Sequence, residues 1–295
     1  MQLMKMLSPR MASETTSPAA PTPVRRLLRS PLPRMMIAAM AVALPVILVM
    51  NGVRMLLDKP DRQGWPQLVA VLLAMLAYRA CVRFMEQRPA CELSGAPAGR
   101  ELASGAVLGA ALILVTNGIL LAFGVLQVES GGTASALLTG IPEMALAAVF
   151  EELLFRGIVF RIVQARWGRW TGIAASSLLF GLAHAPNDGA GVLAIAVTVV
   201  AGILFAAAFM LTGRLWLPIG MHFGWNYLSQ SVFALPTSGH AAIGWMRSTL
   251  TGPAWLSGGA YGVEGSLVTL LVIALTAAWL LKAALRADAR KAGRG

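Results

Sequence analysis

The chain is short of charge. Only 13% of its 295 residues are Asp, Glu, Lys or Arg, where an ordinary soluble domain carries about a quarter. Cysteine is almost missing. Cys81 and Cys91 are the two in the chain, which excludes a disulfide framework and a multi-cysteine zinc site. Histidine occurs three times, and acids are scarcer than bases, 13 against 24, for a net charge of +11. Apolar residues fill the space, at 57% of the chain, with a mean hydropathy of +0.70. That balance excludes a disordered chain and a nucleic-acid module, and it does not suit a soluble enzyme. On so apolar a background, excess positive charge reports membrane orientation rather than a polyanionic partner. The composition is that of a polytopic membrane protein.

Residues 1–34 are rich in Ser, Thr, Pro and Arg and are expected to form a disordered basic tail, since they bury too little apolar surface to offset their ordering entropy. The run at 35–57 follows a basic leader too long for a cleavable signal peptide, so it reads as an uncleaved signal-anchor. Further apolar runs lie at 66–84, 105–126, 140–161, 171–185, 191–211, 215–234 and 265–285. Each is close to the length that crosses about 30 Å of hydrocarbon at 1.5 Å per residue. The expected fold is therefore all-α, a transmembrane helical bundle of about eight spans over 35–285, with a basic C-terminal tail at 286–295. The longest extramembrane loop is expected at 235–264, with no internal repeat and no soluble domain. Eight spans place 20 of the 24 Lys and Arg on one side, leaving Arg54, Lys59, Arg62 and Arg247 on the other. The positive-inside rule then predicts both termini in the cytoplasm and an inner (plasma) membrane location.

A charge at mid-membrane costs roughly 2.5–3.5 kcal/mol on insertion scales, so it marks a functional candidate. The fourth run, AAVFEELLFRGIVF, holds Glu151, Glu152 and Arg156. Glu152 and Arg156 stand at i and i+4, acid first, and can pair on one helix face. Glu151 is rotated about 100° away and lacks that partner. The fifth run sets Phe180 and His184 four apart, and the seventh sets His222 and Asn226 four apart. A lone membrane histidine is more often a helix–helix hydrogen bond than a catalyst. Here, though, helical rise puts Glu151 ~15 Å from Arg161, His222 ~12 Å from Arg214 and His184 ~20 Å from Thr171. Three helices bring polar groups to a similar depth. A carboxylate among apolar side chains can act as a general base on water held by an imidazole, while a second imidazole and an amide donate to an oxyanion. Equally, Glu151, His184 and His222 could be three zinc ligands with an open fourth position. Both routes lead to amide hydrolysis. No serine or cysteine has a neighbouring base, and Cys81 reads as a small packing residue.

Glu151-Glu152-x-x-x-Arg156, Phe180-x-x-x-His184 and His222-x-x-x-Asn226 together resemble the three motifs of the CPBP intramembrane proteases, the CAAX prenyl endopeptidase type II and bacteriocin-processing group. The resemblance covers roughly 137–233, and the flanking FRG and TGRLWLPIGMH agree with it. It implies a hydrolase in which Glu151 activates water, His184 positions it, and His222 and Asn226 stabilise the oxyanion. Glu152 and Arg156 would support the site by an ion pair, and Phe180 would pack beside it. Members are described both as metalloproteases, which would make zinc the cofactor, and as metal-free glutamate enzymes. The implied partners are a peptide or protein substrate at the membrane and the lipid bilayer, with no nucleic acid. Peptide and water are expected to enter through a cavity open to the cytosol. Two other readings set against it are an ion-coupled transporter, for which inverted repeats and paired broken helices are missing, and a noncatalytic scaffold, against which the intact motifs speak.

Overall fold

The computed structural model describes residues 30–58 and 64–293. Positions 1–29 of the expected basic tail lie outside the described residues. Each of the eight apolar runs coincides with helix. The first is α1 (Pro31–Leu56), which begins with proline at the position where its missing N–H is not needed. It is followed by α2 (Trp65–Met85) and α3 (Ala98–Ala122). A short strand β1 (Leu126–Glu129) precedes α4 (Ala136–Glu152), which continues without a break through a π-helical stretch, Leu153–Phe160, into α5 (Arg161–Trp167). Then come α6 (Arg169–Ala183), α7 (Val192–Thr212) and α8 (Trp216–Tyr227), the last extended by a π-helical turn over Leu228–Val232. Strand β2 (Arg247–Leu250), the single-turn α9 (Ala254–Ser257) and α10 (Leu267–Ala292) complete the chain. The basic stretch after 285 continues α10 as far as Ala292 rather than trailing from it.

Among the described residues, five helices are long and apolar enough to cross a membrane: α1, α2, α3, α7 and α10. The other three runs are those that carry the polar motifs. There, α6 has 15 residues, α8 has 12 before its π turn, and α4 has 17 before its own. Large apolar side chains such as Met40, Leu48, Leu72, Leu114 and Leu275 are exposed, as lipid-facing positions should be. The one departure from an all-helical reading is minor. β1 and β2 pair antiparallel, Leu126 with Leu250 and Glu129 with Arg247.

The backbones of α3 and α8 approach one another closely. Gly105 and Gly109 on α3 lie against the Leu217 and Met221 carbonyls, and Gly220 and Gly224 on α8 lie against those of Leu102 and Ala106. A Cβ at any of the four would fall on the facing backbone. Two glycine pairs, each spaced by four, thus face one another, the small-residue seam that lets membrane helices touch. The seam fixes the depth of α8 and of the His222 it carries.

The two ends of the bundle differ. At one, Arg161 pairs with Glu86 at 2.6 Å and Glu92 at 2.9 Å, and Arg88 pairs with Glu86 at 2.8 Å. Arg79 donates to the Leu93 carbonyl, Arg214 pairs with Glu101, and Arg169 reaches Asp288 at 3.1 Å. Burial opposes the charge on Glu86 and Glu92, yet the surrounding arginines hold both carboxyls below the ordinary range. At the other end, the hairpin strands, the 184–191 turn and the 233–266 loop meet. There the Thr133 amide donates to the Gly244 carbonyl and the Gly239 amide to that of Tyr261.

Candidate active site

Seven motif residues come from α4, its π extension, α6 and α8, and six of them form one cluster of direct contacts. Arg156 is wholly buried. Its Nη1 donates to Glu152 Oε1 at 2.9 Å and its Nη2 to the Gly202 carbonyl at 3.1 Å. The guanidinium also lies over the rings of Phe180, 4.5 Å from the centroid, and Phe205, 5.0 Å. Phe180 is therefore more than a packing neighbour: it supplies a π face to a desolvated cation. The π-helical stretch starts immediately after Glu152. Such widened turns recur where a helix must re-aim side chains.

Glu152 Oε1 is shared, for the Nδ1 of His222 stands 3.1 Å from it. A carboxylate accepts, so Nδ1 carries the hydrogen, and Nε2 is turned to the other side of the ring. The His222 ring stacks on Phe205 at 5.0 Å. His184, at the C-cap of α6, is oriented in the same way. Its Nδ1 donates to the Phe180 carbonyl at 2.8 Å, leaving Nε2 free to face the site. Both Nε2 atoms lie 3.9 Å from one atom, Glu151 Oε2. That oxygen is buried and has no hydrogen-bond partner among the described residues. A buried acceptor left open in this way calls for a bound group. Oε2 and the two nitrogens are too far apart to bond directly, but one oxygen atom between them could reach all three.

Of the cluster, Glu151, His184 and His222 form the floor of a cavity of about 670 Å³, whose wall includes Asn226, Gln230, Thr237 and Ser238. Asn226, one turn beyond His222, thus borders the same space. An apolar slot lined by Leu112, Val197, Ala201 and Ile273 continues behind the two histidines. His240, to which the sequence reading assigned nothing, also lines the main cavity. Glu264 went unnoticed as well. It receives the Trp225 indole N–H at 2.5 Å and both the amide and hydroxyl of Ser238, at 2.5 and 2.8 Å, pinning the 233–266 loop over α8. One sequence cue existed, an acid in an otherwise uncharged stretch, AYGVEGS.

Two expectations can be set against this geometry. Zinc bonds of about 2.0–2.1 Å in a tetrahedron separate neighbouring ligands by about 3.4 Å, less than the 3.9 Å here. Among the described residues, no three His, Cys, Asp or Glu side chains are gathered closely enough to hold a metal ion. As placed, both imidazole nitrogens stand farther from Glu151 Oε2 than neighbouring zinc ligands stand from one another. The second concerns sides. A cavity open to the cytosol and an Arg-rich cytoplasmic flank are both expected, and the two do not hold together: Asn187, Thr237, Ser238, His240 and Ala241 line the cavity, while Arg88, Arg161, Arg169 and Arg214 gather at the opposite end of the bundle.

Residues 133–228 match the family model Rce1-like, described as type II CAAX prenyl endopeptidase Rce1-like. That is the family the motifs resemble, and the matched segment holds all seven motif residues. A curated Escherichia coli protein described as an uncharacterized 24.3 kDa protein is 34% identical over 88 residues, covering 29% of this chain and 40% of the E. coli protein. The chain therefore spans well under half the length of that relative. No solved structure matches.

Proposed function

We propose that the protein is an intramembrane endopeptidase that hydrolyses a peptide bond with a water activated by Glu151. One observation carries the reading: a buried, unpartnered Glu151 oxygen 3.9 Å from two imidazole nitrogens at the floor of a polar cavity. The match to a type II CAAX prenyl endopeptidase model over the same segment supports it.

A water among these atoms donates one hydrogen to Glu151 Oε2 and the other to His184 Nε2. Glu151 takes the first proton as the water oxygen adds to the peptide carbonyl carbon, and the carbonyl π pair moves onto oxygen. The oxyanion accepts hydrogen bonds from the Asn226 amide and from His222 Nε2. Since His222 Nδ1 already donates to Glu152, donation from Nε2 requires the imidazolium, whose charge Glu152 offsets. Each such donor is worth about 10²–10³ in rate when its geometry is preorganised. Glu151 then returns its proton to the amide nitrogen as the C–N bond breaks, giving a carboxylic acid and an amine. Glu152 and Arg156 are positioning residues, acting through His222 and through each other.

The test compares membranes holding the wild-type chain or Glu151→Gln, with new peptide termini read by mass spectrometry. The expected loss is about 10²–10⁴-fold, the range for a general base, at unchanged protein abundance. His184→Ala and His222→Ala should lower cleavage in the same assay. Full cleavage by Glu151→Gln would show that the base has been misassigned.

A further inference from the structure

The cavity has one closed side. Towards the Arg-rich end, the wholly buried Glu152, Leu153, Arg156 and Phe160 form a layer beneath Glu151. In the other direction the wall passes from Glu151 to Glu143, two turns nearer the start of α4, and on to Ser238, His240 and Ala241. A second hollow of about 380 Å³ shares Glu143, Gln230 and Ala241 with it and reaches Thr133 and Ser135. Both hollows therefore lead towards the hairpin end.

The charge distribution identifies the sides. Arg79, Arg88, Arg161, Arg169 and Arg214 bind groups at the closed end, and Arg286 and Arg290 lie in the last turns of α10 beside Asp288 there. Among the described residues the hairpin end has two bases, Arg54 and Arg247, beside the acids Asp58, Glu129 and Asp188. Lys and Arg in short loops stay on the cytoplasmic side during insertion. We propose that the active-site cavity is entered from the side of the membrane opposite the cytoplasm, and that the substrate is a peptide segment exposed at that non-cytoplasmic face. The substrate half of this statement rests on the endopeptidase reading. The direction of entry does not.

The experiment uses the full chain and a membrane-impermeant charged maleimide. Cys91 is exposed and lies in the connection whose Glu92 pairs with Arg161 at the Arg-rich end, so it is a native reporter once Cys81→Ser is introduced. Ala241→Cys reports the cavity wall, and Ile243→Cys, 74% exposed, repeats the measurement should Ala241→Cys disturb folding. In sealed right-side-out vesicles the maleimide should modify Ala241→Cys and Ile243→Cys and spare Cys91, with the pattern reversed in inverted vesicles. Modification of Cys91 but neither engineered cysteine in right-side-out vesicles would overturn the proposal. Labelling does not depend on catalysis, so failure of the endopeptidase reading would appear separately, in the Glu151→Gln cleavage comparison.

Discussion

Glu152 and Arg156 form an ion pair with no solvent exposure on either side chain, and breaking it has a calculable cost. At the observed 2.9 Å, the Coulomb attraction is about 6 kcal/mol at an effective dielectric of about 20. Desolvation of both groups cancels much of that, so the pair itself is worth little against an apolar replacement. Removing one partner is different, since the other charge is left buried and unpaired at about 3–5 kcal/mol. Glu152→Leu strands Arg156 with the Gly202 carbonyl and its aromatic neighbours, and Arg156→Met strands Glu152 with His222. Each single variant should lose about 3–5 kcal/mol, while the double variant should lose about 1–3 kcal/mol, the cost of an orphaned His222 N–H. Unfolding in mixed micelles, followed for wild type and all three variants, gives the coupling energy directly. Losses that add to within about 0.5 kcal/mol would mean the two side chains are independent. The ion-pair account of the site's support would then be wrong.

Other expectations follow from the same geometry. Exhaustive chelation should leave peptide cleavage by the wild-type chain unchanged; loss of cleavage that zinc restores would replace the water-only route. Gly109→Val should destabilise the protein by about 1–3 kcal/mol through overpacking at the α3–α8 seam, whereas Gly52→Val, with nothing within 4 Å of its added Cβ, should unfold like wild type. Equal unfolding midpoints would refute the seam. Because Glu86 and Glu92 are held below the usual carboxylate range, their contribution is complete above that range and lost as pH falls through their lowered values. An acid titration of stability should therefore be flatter in Glu86→Gln/Glu92→Gln than in wild type, and identical slopes would contradict it.

Much of this was legible in the chain alone because it is local. Apolar runs longer than about 15 residues fold as helices in any membrane-like setting, and all eight did. The Glu152–Arg156 pair is an i,i+4 contact, which spacing predicts. The shared use of Glu152 Oε1 by His222 crosses 70 residues, and no periodicity encodes it. Nor does a glycine reveal its partner: Gly109 reads as a helix-weakening residue until Met221 is placed against it. The Glu264 clasp on Trp225 and Ser238 lies in irregular chain, where hydropathy is silent. Depth arithmetic brought the imidazoles near Glu151 but carried no sign, so it could not tell which end of the bundle was open.

The facing glycines of α3 and α8 have a consequence for where the working unit begins. Of these two helices α8 alone falls within the 133–228 segment matched by the family model, and its berth is supplied by Gly105 and Gly109 upstream. A graft of the matched segment into a foreign scaffold would bring every motif residue and leave His222 without the rail that sets its height. The motif residues and the glycines that set their height are written in different parts of the chain.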